Sequence, residues 1–137
     1  MAYWLVKSEP SHWSWEDQLA AGTTHWDGVR NYQAANNLRA MALGDRAFFY
    51  HSVGERRIVG IVQVTRTFYP DPGDLGGRFG MVDVSAMASL PNPVGLDVIK
   101  ADPRLNHLAL VRQSRLSVMP IDDAAWALIC DLAGIAR

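Results

Sequence analysis

Apolar residues recur along this chain in two rhythms, and the switches between them mark its elements. Tyr3-Trp4-Leu5-Val6 is a continuous apolar run, as expected of a buried first strand. Lys7-Ser8-Glu9-Pro10 ends it, because proline cannot donate to a sheet ladder. Ser14-Trp15-Glu16-Asp17 reads as a capping box with Asp in the place of Glu; Leu19, Ala20 and Ala21 complete a short helix that Gly22 stops. Trp13 and Trp15 are read as its packing anchors. Residues 26–38 then pass from a turn into a second helix. Asp27-Gly28 is a turn dipeptide whose glycine is free to take positive φ, and Asn31 is a good N-cap. Tyr32, Ala35, Leu38 and Ala42 recur at helical spacing toward a core, with Gly44 as the C′ residue.

The period shortens at residues 46–52. Alternation puts Phe48 and Tyr50 on one face, Phe49 and His51 on the other. Val53-Gly54-Glu55-Arg56 is a polar hairpin turn, and the strand that follows, residues 57–67, is apolar on both faces and therefore central. Residues 68–79 form a Pro/Gly-rich loop. Met81-Val82-Asp83-Val84 begins another strand that reaches toward Leu90 and is ended by Pro91-Asn92-Pro93. Residues 95–100 are a short helix or turn, and Asp102-Pro103 has the arrangement that starts a helix, with Leu105, Leu108 and Ala109 packing inward. Residues 112–120 contain a last strand with Leu116 and Val118 inward. Asp122 or Asp123 caps a final helix faced by Trp126, Ile129 and Ala133 and ended by Gly134. With short strands and short helices mixed, a doubly wound α/β fold is disfavoured. A small, strongly bent, mixed α+β sheet with helices packed outside fits better.

The second helix has unusual content for a core element. A Trp, an Arg and three Asn crowd its start, although Asn competes with the backbone for hydrogen bonds and is a weak helix former. A helix N-terminus attracts anions, Arg30 would add a bidentate phosphate donor, Trp26 offers a stacking face, and Asn amides pair with base edges. The competing reading makes Trp26 core, Asn31 only a cap and Arg30 a surface ion-pair partner. Ser8 is likewise either a turn residue or a ligand contact.

Composition narrows the classes. The chain has 137 residues, 49% of them hydrophobic and 20% charged, with a net charge of −1. That is enough for one domain, residues 1–137, with a sizeable core. Tight non-specific binding to duplex DNA needs a basic surface, so a nucleic-acid site must be local. Of the 13 basic residues eleven are Arg, suited to bidentate and stacked contacts. The lone Cys130 excludes an internal disulfide and is read as a small buried residue of the last helix. No signal peptide and no membrane span is visible, so an intracellular, cytoplasmic location is expected. His12 and His25 have no metal spacing and are read as surface residues. Asp71, Asp74 and Asp83 suggest no metal site beyond turn chemistry. No phosphate loop or zinc motif occurs, so no cofactor and no metal are expected. No Ser-His-Asp order supports His51 as a general base, which leaves it structural or ligand-contacting.

Lys7-Ser8-Glu9-Pro10, residues 26–34, Phe49-Tyr50-His51-Ser52, Val59-Gly60-Ile61, Tyr69-Pro70-Asp71-Pro72 and residues 112–118 follow one another in an order that resembles the EVE domain, a family similar in fold to PUA and YTH domains. The resemblance covers nearly the whole chain. It implies a PUA-like, partly open β-barrel and a non-catalytic nucleic-acid-binding module whose ligand is a modified base, above all a modified cytosine in DNA, single-stranded or flipped. Carried onto this sequence, the base-binding set is Lys7, Ser8, Trp26, Asn36, Asn37, His51 and Tyr69, and the phosphate-binding set is Arg30, Asn31, Arg112 and Arg115. The 70–79 loop departs from the family: it is shorter, with Phe79 where a Trp is common. The alternatives are an RNA-binding PUA-like module, an enzyme acting on a nucleotide or base, and a protein-interaction domain. A monomer is favoured.

Overall fold

A computed structural model describes residues 1–136; Arg137, the end of the expected domain span, lies outside the described residues. Six strands form one mixed sheet: β1 (Tyr3–Ser8), β2 (Thr23–Trp26), β3 (Arg46–His51), β4 (Arg57–Pro70), β5 (Gly80–Gly95) and β6 (Val118–Ile121). Five helices accompany them: α1 (Trp15–Ala21), α2 (Tyr32–Ala40), α3 (Leu96–Ala101), α4 (Ala109–Arg112) and α5 (Asp123–Ala133). The strand order is β2-β5-β4-β3-β1-β6. Only β1 and β3 run parallel; the other neighbours are antiparallel. Register shifts interrupt β3 at Phe49/Tyr50 and β4 in four places, and such bulges bend a sheet. The sheet stays open, with β2 and β6 as its two edges, so it is bent without closing into a barrel.

Local chemistry explains the elements that formed as expected. The Ser14 capping box is complete: Ser14 Oγ accepts from Asp17 N–H and Asp17 accepts from Ser14 N–H. Asn31 Oδ1 accepts from Ala34 N–H at 2.9 Å, and Asp122 caps α5, which ends at Gly134 with φ 73°. Trp126 of α5 stacks on Phe48 at 3.9 Å and on Tyr3 at 4.2 Å, which ties the last helix to the sheet. Cys130 is buried in the same helix.

Five expectations are corrected. Thr23–Trp26 is a strand; it lies against β5 with Trp26 opposite Val82. The stripe of α2 is Ala34, Ala35 and Leu38, whereas Tyr32 is 59% exposed beside Phe79. Met41 ends this helix, and Gly44, with φ 85°, serves the turn into β3. β5 passes through Pro91-Asn92-Pro93 to Gly95, because past Ala86 its outer side has no strand partner and its ladder to β4 is irregular between Ser89 and Val94, so the missing N–H groups cost nothing. Asp102-Pro103 opens a turn and no helix: Asp102 is the C-cap of α3, and its carboxylate holds Arg104 at 2.8 Å. Among the described residues no helix is long and apolar enough to cross a membrane.

Candidate nucleic-acid interface

The end of β1, the turn that follows it and β2 surround a cleft of about 580 Å³, a size typical of small-ligand sites. Lys7, Ser8, His12, Trp13, Thr24, His25, Trp26 and Asp27 line it. β1 is rigid there because it sits between β3 and β6, with Ser8 opposite His51. Ser8 is buried, and its hydroxyl donates to the Trp13 carbonyl. A hydroxyl has one hydrogen to give, so Ser8 has only acceptor capacity left for a ligand.

One wall is Trp13. Its indole N–H donates to Gln18 Oε1 at 3.0 Å, and Gln18, fully buried, donates in turn to the Gly22 carbonyl at 2.9 Å. Sequence reading treated Trp13 only as a packing anchor and did not single out Gln18. The available signal was an amide one turn after Trp15, in a short helix that also carries Leu19, Ala20 and Ala21. The other wall is Trp26, which is 8% exposed and meets Phe49 edge-on at 5.5 Å. It is therefore both core and cleft wall, which joins the two readings that the sequence left open. His12 and His25 are exposed, with side chains 80% and 59% accessible, yet both stand on the cleft.

The turn after Trp26 is held by Asp71. This buried carboxylate accepts from Gly28 N–H at 3.0 Å, Gly73 N–H at 2.8 Å and Arg30 Nη1 at 3.0 Å. The Gly28 N–H, then the Gly73 N–H and the Arg30 guanidinium, hold its carboxyl below the usual carboxylate range. A depressed folded-state pKa stabilises fully above the unfolded value of about 3.9 and is lost as pH falls through the folded value. Asp71→Asn is expected to lower stability by about 2 kcal/mol near neutral pH. In a melting series taken down to about pH 3 the gap to the parent should narrow; a gap that stays constant would assign the effect to shape and not to charge.

Of the expected base-binding residues, Lys7, Ser8 and Trp26 come together in the cleft. The others are engaged elsewhere. His51 is buried and its Nε2 accepts from Trp15 N–H at 3.1 Å, which positions the start of α1. Asn36 accepts from Arg39, and Asn37 donates to the Val118 carbonyl at 2.7 Å, joining α2 to β6. Tyr69 donates its hydroxyl to Asp83 and carries the Arg66 guanidinium on its ring face, 3.5 Å from the centroid. Of the phosphate set, Arg30 is the Asp71 partner already described. Asn31, Arg112 and Arg115 line a separate groove of about 320 Å³. Among the described residues no His, Cys, Asp or Glu cluster could hold a metal ion.

An open, bent mixed sheet with an aromatic-walled cleft at the end of its one parallel pair defines the class, a PUA-like domain. The EVE domain family model matches residues 2–132, and the chain belongs to that family. A crystal structure of a protein from Agrobacterium tumefaciens is 46% identical, with a TM-score of 0.95 over 100% of this chain and 96% of that one. Human thymocyte nuclear protein 1 is 32% identical over 96% of this chain and 73% of its own length. A crystal structure of the human protein in complex with 5-methylcytosine-containing DNA superposes with a TM-score of 0.88 at 31% identity, covering 100% of both chains. The YTH domain of Zygosaccharomyces rouxii MRB1 shares the fold at 15% identity, with a TM-score of 0.59 over 99% of this chain and 88% of that one.

Proposed function

We propose that this protein is a non-catalytic reader of a modified cytosine in DNA, taking the base into the cleft between Trp13 and Trp26. The observation that carries the reading is the convergence of Lys7, Ser8, Trp13 and Trp26 on one cleft, in a chain similar along its whole length to a human protein crystallised with 5-methylcytosine-containing DNA. Indole faces stack on any base. The acceptor left on Ser8 suits an exocyclic amine such as that of cytosine. Lys7 supplies a cation beside the base, and an unmodified base would leave part of the cleft unfilled. Extracting a base from a duplex costs a few kcal/mol, so single strands and mismatches should bind better than paired duplexes.

The test is a binding screen of DNA and RNA oligonucleotides carrying modified and plain bases, at two salt concentrations, with recovered oligonucleotide checked for chemical change. The expected result is preferential binding of modified-cytosine DNA, recovered intact. Conversion of the base would make the protein an enzyme, and a preference for RNA would move the reading to the RNA-binding alternative. Trp13→Ala should cost about 1–3 kcal/mol of affinity for the modified strand and leave the protein folded, because this ring is only partly buried. If the variant binds the modified strand as tightly as the parent does, the cleft is not the base site.

A further inference from the structure

Beyond the cleft, on the other side of Lys7, lies a second cavity of about 290 Å³. Its lining includes three cations drawn from distant parts of the chain: Lys7 at the end of β1, Arg56 in the β3–β4 turn and Lys100 at the end of α3. No salt bridge pairs any of the three with a carboxylate among the described residues. Lys7 spends one donor on the Ser114 carbonyl at 2.9 Å, and two of its three ammonium hydrogens remain. Arg56 is the one described non-glycine residue with positive φ, 48°, held there while its carbonyl accepts from Leu96 N–H at 2.9 Å. Two acids, Glu55 and Asp97, line an adjoining groove together with Arg56 and Lys100, but neither lines this cavity, and Glu55 is held by Arg57 at 2.6 Å. Ser52 and Ser114 add hydroxyls to the cavity.

Three like charges around one small cavity repel one another, and an anion between them would relieve that repulsion. A chain with a net charge of −1 has carboxylates to spare, yet none is paired here. Burial pushes the Lys7 ammonium below its usual range, because its charge has lost part of its hydration there, and an anion beside it would replace that lost stabilisation. The cavity also continues other sites. It shares Lys7 with the base cleft, and it shares Ser114 with the groove of Asn31, Arg112 and Arg115.

We propose that this cavity is a phosphate subsite: Lys7, Arg56 and Lys100 seat the phosphodiester next to the base held in the cleft, and the strand runs on past Ser114 toward Arg112 and Arg115. The subsite rests on the reading of the protein as a nucleic-acid reader, and it fixes a direction for the strand which that reading leaves open. It would contribute to affinity for every sequence and nothing to the choice of base, because phosphate contacts carry no base identity.

The experiment compares the parent with Arg56→Gln/Lys100→Gln, which alters two exposed side chains and keeps a β-carbon at both positions. Binding to single-stranded oligonucleotides with a modified or a plain cytosine is measured across a salt series. Inorganic phosphate is titrated in parallel, with amide resonances followed. The double variant should bind both oligonucleotides about tenfold more weakly, with a salt slope shallower by about 0.7, the share of one phosphate on a single strand. The modified-to-plain ratio should not change. Phosphate should shift the Ser52, Lys100 and Ser114 amides of the parent and not those of the variant. A double variant with the parent's affinity and salt slope overturns the subsite. Phosphate shifts without such an effect would reveal a free-phosphate site off the strand path, and would overturn it equally. A parent that binds modified and plain strands alike, while the variant still loses affinity and slope, refutes the base reading and leaves the subsite standing.

Discussion

Gly60→Asp should lower the stability of this protein by more than about 4 kcal/mol, seen as a fall in Tm on the order of 10–20 °C. Gly60 lies in β4, opposite Phe49 of β3 and Ser89 of β5, so both of its neighbours are strands. The Trp15 indole crosses directly over it: a β-carbon built on Gly60 would overlap the Trp15 ring. That ring cannot readily withdraw. Its N–H donates to Ser89 Oγ at 2.8 Å, its backbone N–H is bound by His51, and it packs on Phe49 at 5.1 Å. Alanine alone would force overpacking, worth about 1–3 kcal/mol. Aspartate adds an unpaired buried charge. Displacing Trp15 would also loosen the start of α1 and, through Gln18, the Trp13 wall of the cleft. A Gly60→Asp protein that melts within a degree or two of the parent would mean that β4 is not the packed centre of the sheet.

Trp26→Ala is the second large effect, at about 3–5 kcal/mol of stability. The residue is 8% exposed, pairs with Val82 through β2 and meets the buried Phe49 edge-on. Its loss would open a cavity where the edge strand, the cleft and the central hairpin meet. A second loss accompanies it, because the same side chain lines the cleft: affinity of the folded fraction for a modified strand should fall by a further ~1–3 kcal/mol. Melting and oligonucleotide binding on the same preparation separate the two. A variant with parental stability would remove Trp26 from the core, and one that keeps the parent's preference for the modified base would remove it from the base site.

Arg30 and Tyr69 show what a single sequence leaves open. Both carry chemistry that suits a nucleic acid, and in the fold both find protein partners: Arg30 the Asp71 carboxylate, Tyr69 the Asp83 carboxylate and the Arg66 guanidinium. Asp71 looked like turn chemistry, and it is; it also fastens the turn behind the cleft to the 71–79 loop. A donor or stacking face can be read from a residue's identity, but whether it is already satisfied depends on how the chain folds back, which brings Asp71 to Arg30 from 41 positions away and Asp83 to Tyr69 from 14.

The elements that could be read directly depend on contacts within a few residues. The Ser14 box, the Asn31 and Asp122 caps, the Gly28 turn and the 46–67 hairpin are each specified by local backbone geometry and short-period burial, so composition in a small window suffices. β2 escaped because Thr23-Thr24-His25-Trp26 is short, mostly polar and without alternation; only its pairing to Val82–Ser85 makes it a strand. The path of β5 through two prolines depends on a missing neighbour, and no local window reports that. The cleft and the cationic cavity beside it are likewise products of topology. The parallel pairing of β1 with β3 brings Lys7 beside Tyr50, and the return of the chain through α3 and the 113–117 segment brings Lys100 to the same cavity and the Ser114 carbonyl to the Lys7 ammonium. Sequence alone determined which residues have the chemistry to bind a base or a phosphate, because that chemistry is covalent. The tertiary structure decided which of them stand together with that capacity unspent, because hydrogen-bond partners and burial are set by contacts between segments far apart in the chain.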